Sequence, residues 1–224
     1  MKTLFITASG TGTGKTYVTA AIAAALTTKG LSVKVLKPVI SGFTWDELEE
    51  TDAAVLIRSL GLEPTPDAIE ACSPWRFEAP LSPDMAAKRE GRAIDFNTLV
   101  RFCDDAQKGP GDFLLIEGVG GAMVPLDDTH TVLDWVTELG VPVLVVVGSY
   151  LGTLSHTLAT AAAIRERGVG IAGVVVDESE DSPVPLAETV ETLERFLAGI
   201  PVAQVGRGAG PEVVLAALGP MIGV

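Results

Sequence analysis

A chain of 224 residues with 47% hydrophobic content and positive mean hydropathy can bury one substantial core, so a single domain over residues 1–224 is expected. Its formal net charge of -13, with only 16 Lys and Arg, argues against a nucleic-acid backbone as partner, because such binding needs clustered cations to displace counterions. Cys72 and Cys103 stand far apart, with no Cys-x-x-Cys and no His at metal-ligand spacing, which disfavours a disulfide framework or a zinc site and fits a reducing cytoplasm.

Met1 and Lys2 lead directly into Leu4, Phe5 and Ile6, without the apolar stretch and cleavage site of a secretory signal. The apolar run at 141–147 is broken by Pro142 and Gly148 and falls far short of the roughly 20 residues a membrane helix needs. A soluble protein with no membrane partner is expected. In chain order, the pattern predicts a strand at 3–7, a helix at 15–29, a strand at 32–38, helices at 52–60 and 95–107, and strands at 112–117 and 141–147. A helix at 153–167, a strand at 171–176 and a helix at 186–197 follow, with Gly30, Gly61 and Gly168 where helices would stop. Short apolar strands alternating with helical segments predict α/β architecture: a doubly wound, mainly parallel sheet with helices on both faces. Residues 178–185 are acidic and proline-bearing and read as a mobile loop; the glycine-rich stretch 206–210 is either a turn or a ligand-facing loop.

The chemistry begins where the first strand ends at Thr7 and the sequence ASGTGTGKT runs straight into the first helix. Glycines let backbone N–H groups converge on phosphate oxygens, and the helix adds its positive dipole end. Lys15 supplies a point charge, and the Thr16 hydroxyl can ligate a magnesium ion bridging the terminal phosphates of ATP. The strict phosphate-loop pattern has Gly five residues before Gly14; Ser9 stands there instead, so the loop is a variant.

Glu117 ends the apolar run FLLIE, at the carboxyl edge where α/β sheets bind ligands, and can hold the metal directly or through water. Gly118, Gly120 and Gly121 beside it allow close backbone approach. Asp52 is a second candidate ligand, although by itself it reads equally as the cap or first-turn acid of a helix. Lys37, immediately before Pro38, reaches the same edge; a second lysine there suits phosphoryl transfer to an anionic acceptor. His130 and His156 have no partner pattern and read as structural, and Trp45, Trp75 and Trp135 as packing or pocket walls.

Taken together, GTGTGKT, KPVISG at 37–42, TDA at 51–53, FEAPLSP at 77–83, IEGVGG at 116–121, PL at 125–126, DW at 134–135 and GSYLGTLSHT at 148–157 resemble the dethiobiotin synthetases. The resemblance runs over about residues 1–177 and is looser beyond. It implies an ATP-dependent cyclo-ligase that joins CO2 to 7,8-diaminononanoate and closes a cyclic urea, with ADP and phosphate as co-products. It further implies catalytic roles for Lys15 and Lys37, and Thr16, Asp52 and Glu117 on magnesium. Gly12, Thr13, Gly14, Lys15, Thr16, Tyr17, Asp52, Glu117, Gly118, Val119, Gly120 and Asp177 would face the nucleotide. Thr11 and Ser41 would hold the diamine or carbamate, and in a symmetric homodimer Tyr150 and Leu151 would line the tail pocket; read from the residues alone, those two are equally strand-end turn residues. Three positions depart from the family's usual pattern: Gly12 stands where an acid is common, Asp84 where a His is common, and Asp177 where an Asn is common. An ionised Asp only accepts hydrogen bonds, so base recognition is expected to be altered or relaxed. Two other classes stay open: a P-loop switch ATPase of the partitioning or positioning kind, which ordinarily carries a second lysine inside the phosphate loop where this chain has none, and a regulatory or interaction module that binds nucleotide without catalysis, against which the intact Lys15, Thr16, Lys37, Asp52 and Glu117 argue.

Overall fold

A computed structural model describes residues 1–224. Strand β1 (Lys2–Ala8) leads into α1 (Lys15–Thr28), followed by β2 (Val33–Leu36), β3 (Val39–Ser41), α2 (Asp52–Ser59), α3 (Pro66–Cys72), β4 (Trp75–Phe77), α4 (Pro83–Arg89) and α5 (Phe96–Gln107). The chain continues through β5 (Phe113–Glu117), α6 (Val132–Leu139), β6 (Val143–Gly148), α7 (Thr153–Glu166), β7 (Ile171–Asp177), α8 (Leu186–Phe196), β8 (Val202–Val205) and α9 (Pro211–Ile222). Six strands form a parallel sheet in the order β2-β5-β1-β6-β7-β8, and β3 pairs with β4 in a separate parallel ribbon.

The alternation of side chains along each strand divides the core. In β6, Val143, Val145 and Val147 join the cluster beneath α5, α6, α7 and α8, whereas Leu144 and Val146 join the cluster beneath α1 and α9. Phe5 and its neighbours Leu4 and Ile6 divide the same way in β1. Both faces of the sheet are therefore covered, which explains why its strands read as unbroken apolar runs. No helix is long and apolar enough to cross a membrane.

Eight strands and nine α-helices replace the five and five expected. The unforeseen β3, β4 and β8 are three or four residues long and carry too little periodicity to be seen. Helix α6 begins on a capping box in which Thr131 accepts from the Asp134 N–H while Asp134 accepts from the Thr131 N–H. Helix α9 contains Gly219 and Pro220, both breakers by local preference, yet its buried Val214, Leu215 and Leu218 hold it against α1. The expected strand at 32–38 stops at Leu36, because the Lys37 N–H leaves the ladder and donates to the Cys72 carbonyl at 3.1 Å.

Trp135 is fully buried, edge-on to Phe5 with ring centroids 4.8 Å apart, and Trp75 packs edge-on against Phe102. Trp45 is half exposed against Phe43. Because Trp135 fills the space between α6 and β1, Trp135→Ala is expected to destabilise the protein by about 3–5 kcal/mol, read from denaturant unfolding. The acidic loop at 178–185 is tied to the end of β6: Ser149 and Ser179 exchange backbone-to-hydroxyl bonds of 2.9 Å in both directions.

Candidate active site

Parallel register brings β1, β2 and β5 to a common carboxyl edge, with Ile6 opposite Glu117 and Leu36 opposite Ile116. β1 is also where the chain's route across the sheet turns: β2 and β5 lie on one side and β6, β7 and β8 on the other. Such a switch point opens a crevice beyond the strand ends. Here a cleft of about 500 Å³ occupies it.

One wall of the cleft is the loop from Thr11 to Gly14 with the first residues of α1, Lys15 to Tyr17. Gly14 caps α1 in the left-handed region, at φ 86°, a conformation that favours glycine. A Cβ at Gly14 would stand 2.0 Å from Asp177 Oδ2, so the β7 carboxylate is packed directly against the loop's turn. Lys15 is buried and donates to the Gly10 carbonyl at 3.3 Å.

Beneath the loop lies a four-residue network. Lys37 Nζ stands 2.6 Å from Glu117 Oε1, 3.1 Å from Asp52 Oδ2 and 2.9 Å from the Gly118 carbonyl oxygen. The Thr16 hydroxyl is 2.7 Å from Glu117 Oε1 and 2.9 Å from Asp52 Oδ1. Asp52 is the first residue of α2, whose N-cap is Thr51, so its own carboxylate is free of capping duty and turns to Lys37 and Thr16. Glu117 is completely buried and its Oε2 has no hydrogen-bond partner. An acid in that position without a cation would be very costly, which is why the network is compensated by two lysines.

Burial and the nearby Lys37 charge lower the Lys15 pKa to about 8. Burial would lower Lys37 too, but Glu117 and Asp52 outweigh it and the net shift is upward. Burial would raise Asp52; the bonds and charge of Lys37, with Thr16 and Lys15, outweigh it and the net shift is downward. Burial raises Asp177 to about 6, partly offset by Arg207.

Thr11, Gly12, Thr13, Gly14, Lys15, Thr16, Tyr17, Lys37, Ser41, Asp52, Val119 and Gly120 all line the one cleft, with Glu117 and Gly118 just beneath. Asp177 packs behind the loop rather than lining it. Tyr150 and Leu151 lie apart, on the turn between β6 and α7, with the Tyr150 hydroxyl on His156 and Leu151 87% exposed. His130 stacks on Phe96 and bonds Asp127, away from the cleft. The glycine-rich stretch 206–210 meets α1, where the Tyr17 hydroxyl donates to the Ala209 carbonyl, so it borders the site. The opposite wall, with Ile40, Pro80, Leu81, Ser82 and Pro83, was visible in the sequence only as part of a family motif. In it the Ser82 hydroxyl is buried and unpartnered.

A glycine loop joining strand to helix, a lysine and a hydroxyl opening that helix, and an acid ending the adjacent strand make this a P-loop nucleotide-binding protein. A family model described as an AAA domain matches residues 2–207. Among curated relatives, ATP-dependent dethiobiotin synthetase of Acidiphilium cryptum is 48% identical over 202 residues, covering 90% of this chain and 91% of that protein. That of Methylobacterium nodulans is 44% identical over 215 residues, covering 94% and 95%. The chain belongs to the dethiobiotin synthetase family. Solved structures with the same fold include the MinC:MinD cell division protein complex of Aquifex aeolicus, with TM-score 0.58 and 16% identity over 92% of this chain and 81% of that one. The MinD septum site-determining protein of Pyrococcus horikoshii, with TM-score 0.55 and 18% identity, covers 92% and 81%. At that identity the likeness is one of fold alone.

A lysine at this place in a phosphate-binding loop binds phosphate as an ammonium. With the Lys15 pKa lowered to about 8, nucleotide affinity and kcat/KM for ATP are expected to hold below pH 8 and fall as pH rises above it. A pH profile of ATP binding checks this, since an ordinary lysine would keep affinity level for two further pH units, to about 10.

Proposed function

We propose that residues 1–224 form one domain that carboxylates 7,8-diaminononanoate with CO2 and closes the ring at the expense of ATP, giving dethiobiotin, ADP and phosphate. The observation that carries this reading is the convergence of two lysines, Lys15 and Lys37, with Thr16, Asp52 and Glu117 on one cleft at the sheet's switch point.

One amine of the substrate adds to CO2 and loses a proton, forming a carbamate. A carbamate oxygen attacks the γ-phosphorus, and the bond to the ADP oxygen breaks. The second amine then attacks the carbonyl carbon of the mixed anhydride; the C–O bond breaks, phosphate departs with the electron pair, and the amine proton is lost as the cyclic urea closes. Negative charge gathers around the γ-phosphate throughout. Loop N–H groups and Lys15 bear on the nucleotide side of that charge, and Lys37 on the carbamate side. Thr11 and Ser41, both in the cleft lining, can bond the diamine or carbamate, and the unpartnered Ser82 hydroxyl is a third donor in the same wall.

Magnesium suits the oxygen set of Thr16, Asp52 and Glu117, all hard donors, and the partnerless Glu117 Oε2 leaves an acceptor for it. When bound it would neutralise phosphate charge. A homodimer would bring Tyr150 and Leu151 to the tail of the substrate held by the other subunit, and the exposure of Leu151 is compatible with that. The lack of a membrane-crossing helix agrees with a cytoplasmic enzyme.

At neutral pH Asp177, with its pKa near 6, is mainly ionised and only accepts hydrogen bonds. ATP is therefore expected to be preferred over CTP and GTP less strongly than in family members that carry Asn at this position, and a large preference for ATP in steady-state rates would sink this. The reaction itself is tested by mass spectrometry of the products from diamine, bicarbonate, ATP and magnesium. Dethiobiotin is expected. ATP binding by folded protein without dethiobiotin would favour a switch ATPase instead.

A further inference from the structure

Lys37 lines the floor of the cleft, where its ammonium is held between the two carboxylates by contacts of 2.6 Å to Glu117 Oε1 and 3.1 Å to Asp52 Oδ2. Its third contact is the Gly118 carbonyl at 2.9 Å. The Thr16 hydroxyl shares Glu117 Oε1 with it, at 2.7 Å. The oxygens suited to a metal ion are thus already arranged around a cation that belongs to the chain.

A magnesium ion on the Glu117 carboxylate, whose Oε1 already meets Lys37 and whose Oε2 is partnerless, would share that carboxylate with the Lys37 ammonium and set two cations against one buried anion. Lys37 is 3% exposed and Glu117 is 0% exposed, so solvent, which reaches the cluster only at the 42% exposed Asp52, screens the repulsion weakly. Lys15 and Lys37 balance Asp52 and Glu117 in charge; adding a bare divalent ion leaves the pocket strongly positive. Adding it together with a triphosphate does not.

We propose that Lys37 is a resident counter-cation at the metal position of the nucleotide-free enzyme, and that the metal arriving with nucleotide displaces its ammonium into the cleft, toward the carbamate. The proposal rests on the reading of Thr16, Asp52 and Glu117 as metal ligands. It makes metal and nucleotide binding mutually dependent, since each lowers the electrostatic barrier to the other. It also arms the catalytic lysine only once phosphates are in place. Lys15 does not share this arrangement: it bonds the Gly10 carbonyl and neither acid.

The test titrates full-length, nucleotide-free protein with Mn2+ and reads free ion by electron paramagnetic resonance. Lys37→Met is expected to bind Mn2+ about tenfold or more tightly than wild type. Lys15→Met, which removes the same charge from the neighbouring loop, should gain much less, and adding Glu117→Gln to Lys37→Met should abolish the gain. With a non-hydrolysable ATP analogue present, wild type itself should bind Mn2+ tightly. If it does, but Lys37→Met gains nothing or no more than Lys15→Met, the proposal fails and the metal site stands. If wild type takes no Mn2+ even with the analogue, the metal-site reading fails and takes the proposal with it. Should Lys37→Met fold poorly, wild-type protein with isotopically labelled lysine gives the answer by nuclear magnetic resonance. The Lys37 ammonium signal should shift with magnesium plus analogue and not with magnesium alone; a signal unmoved by both together overturns the proposal.

Discussion

Lys37→Ala is expected to lower the rate of dethiobiotin formation by about 10³-fold or more while leaving nucleotide bound. Removing one well-aimed donor from a developing anion typically costs about 10²–10³ in kcat. Lys37 should exceed that on the proposed reading, because its charge is a full one and because it would face the carbamate while Lys15, lining the same cleft, would face the nucleotide. The variant also leaves Glu117 buried without the cation 2.6 Å away, so a stability loss of about 3–5 kcal/mol is expected alongside. The two effects separate experimentally. Chemical denaturation reports the second, and single-turnover formation of product at saturating ATP, in conditions where the variant is folded, reports the first. Dethiobiotin at close to the wild-type rate would remove Lys37 from the reaction and leave it an internal counter-charge only. Lys37→Arg is the informative companion: it preserves charge but cannot fit a wider guanidinium where the ammonium meets three oxygens, so it should restore stability poorly and activity hardly at all.

The chemistry of this site was legible in sequence to the extent that it is local. ASGTGTGKT announces itself because strand, loop, lysine and helix are contiguous, and Glu117 because it ends an apolar run. Asp52 was ambiguous from its neighbours, and the reason is now physical: Thr51 is the cap and Asp52 the first helical residue, so either role fits the local pattern. Only the register of β2 against β5 puts Lys37 next to Glu117, 80 positions away, and no local signal encodes that distance. The same limit hid the second wall of the cleft, since β3 and β4 are three-residue strands whose pairing is entirely tertiary. Ser82 could have been found only by asking which hydroxyls end buried without a partner, a question about packing that a sequence does not pose. Tyr150 and Leu151, grouped with the substrate by family resemblance, are not part of this cleft within one chain; any contact they make with substrate requires a second copy.

Gly14→Ala is expected to reduce nucleotide affinity by about 10²-fold, the scale set by a displacement of roughly an ångström in a positioning element. Two separate causes act at this residue. Its φ of 86° lies in the left-handed region, which a Cβ makes unfavourable by about 1–2 kcal/mol. The new methyl would also stand 2.0 Å from Asp177 Oδ2 and 2.7 Å from its Cγ, closer than real atoms approach, so either β7's carboxylate or the loop must move. Asp177 ends β7, an interior strand, which fixes its Cβ 3.2 Å from the new methyl, so the carboxylate must rotate away from the loop or the loop must shift. Gly12 separates the causes, because at φ 69° it has the same backbone requirement but open space where its Cβ would be. Gly12→Ala should therefore lose much less affinity than Gly14→Ala, and the double variant Gly14→Ala with Asp177→Ala should recover the part of the loss due to collision. Isothermal titration with a non-hydrolysable ATP analogue measures all three. Full recovery in the double variant would make the collision the whole effect. No recovery would mean that the glycine is required for the loop's path alone and that Asp177, however close, is a bystander to phosphate binding.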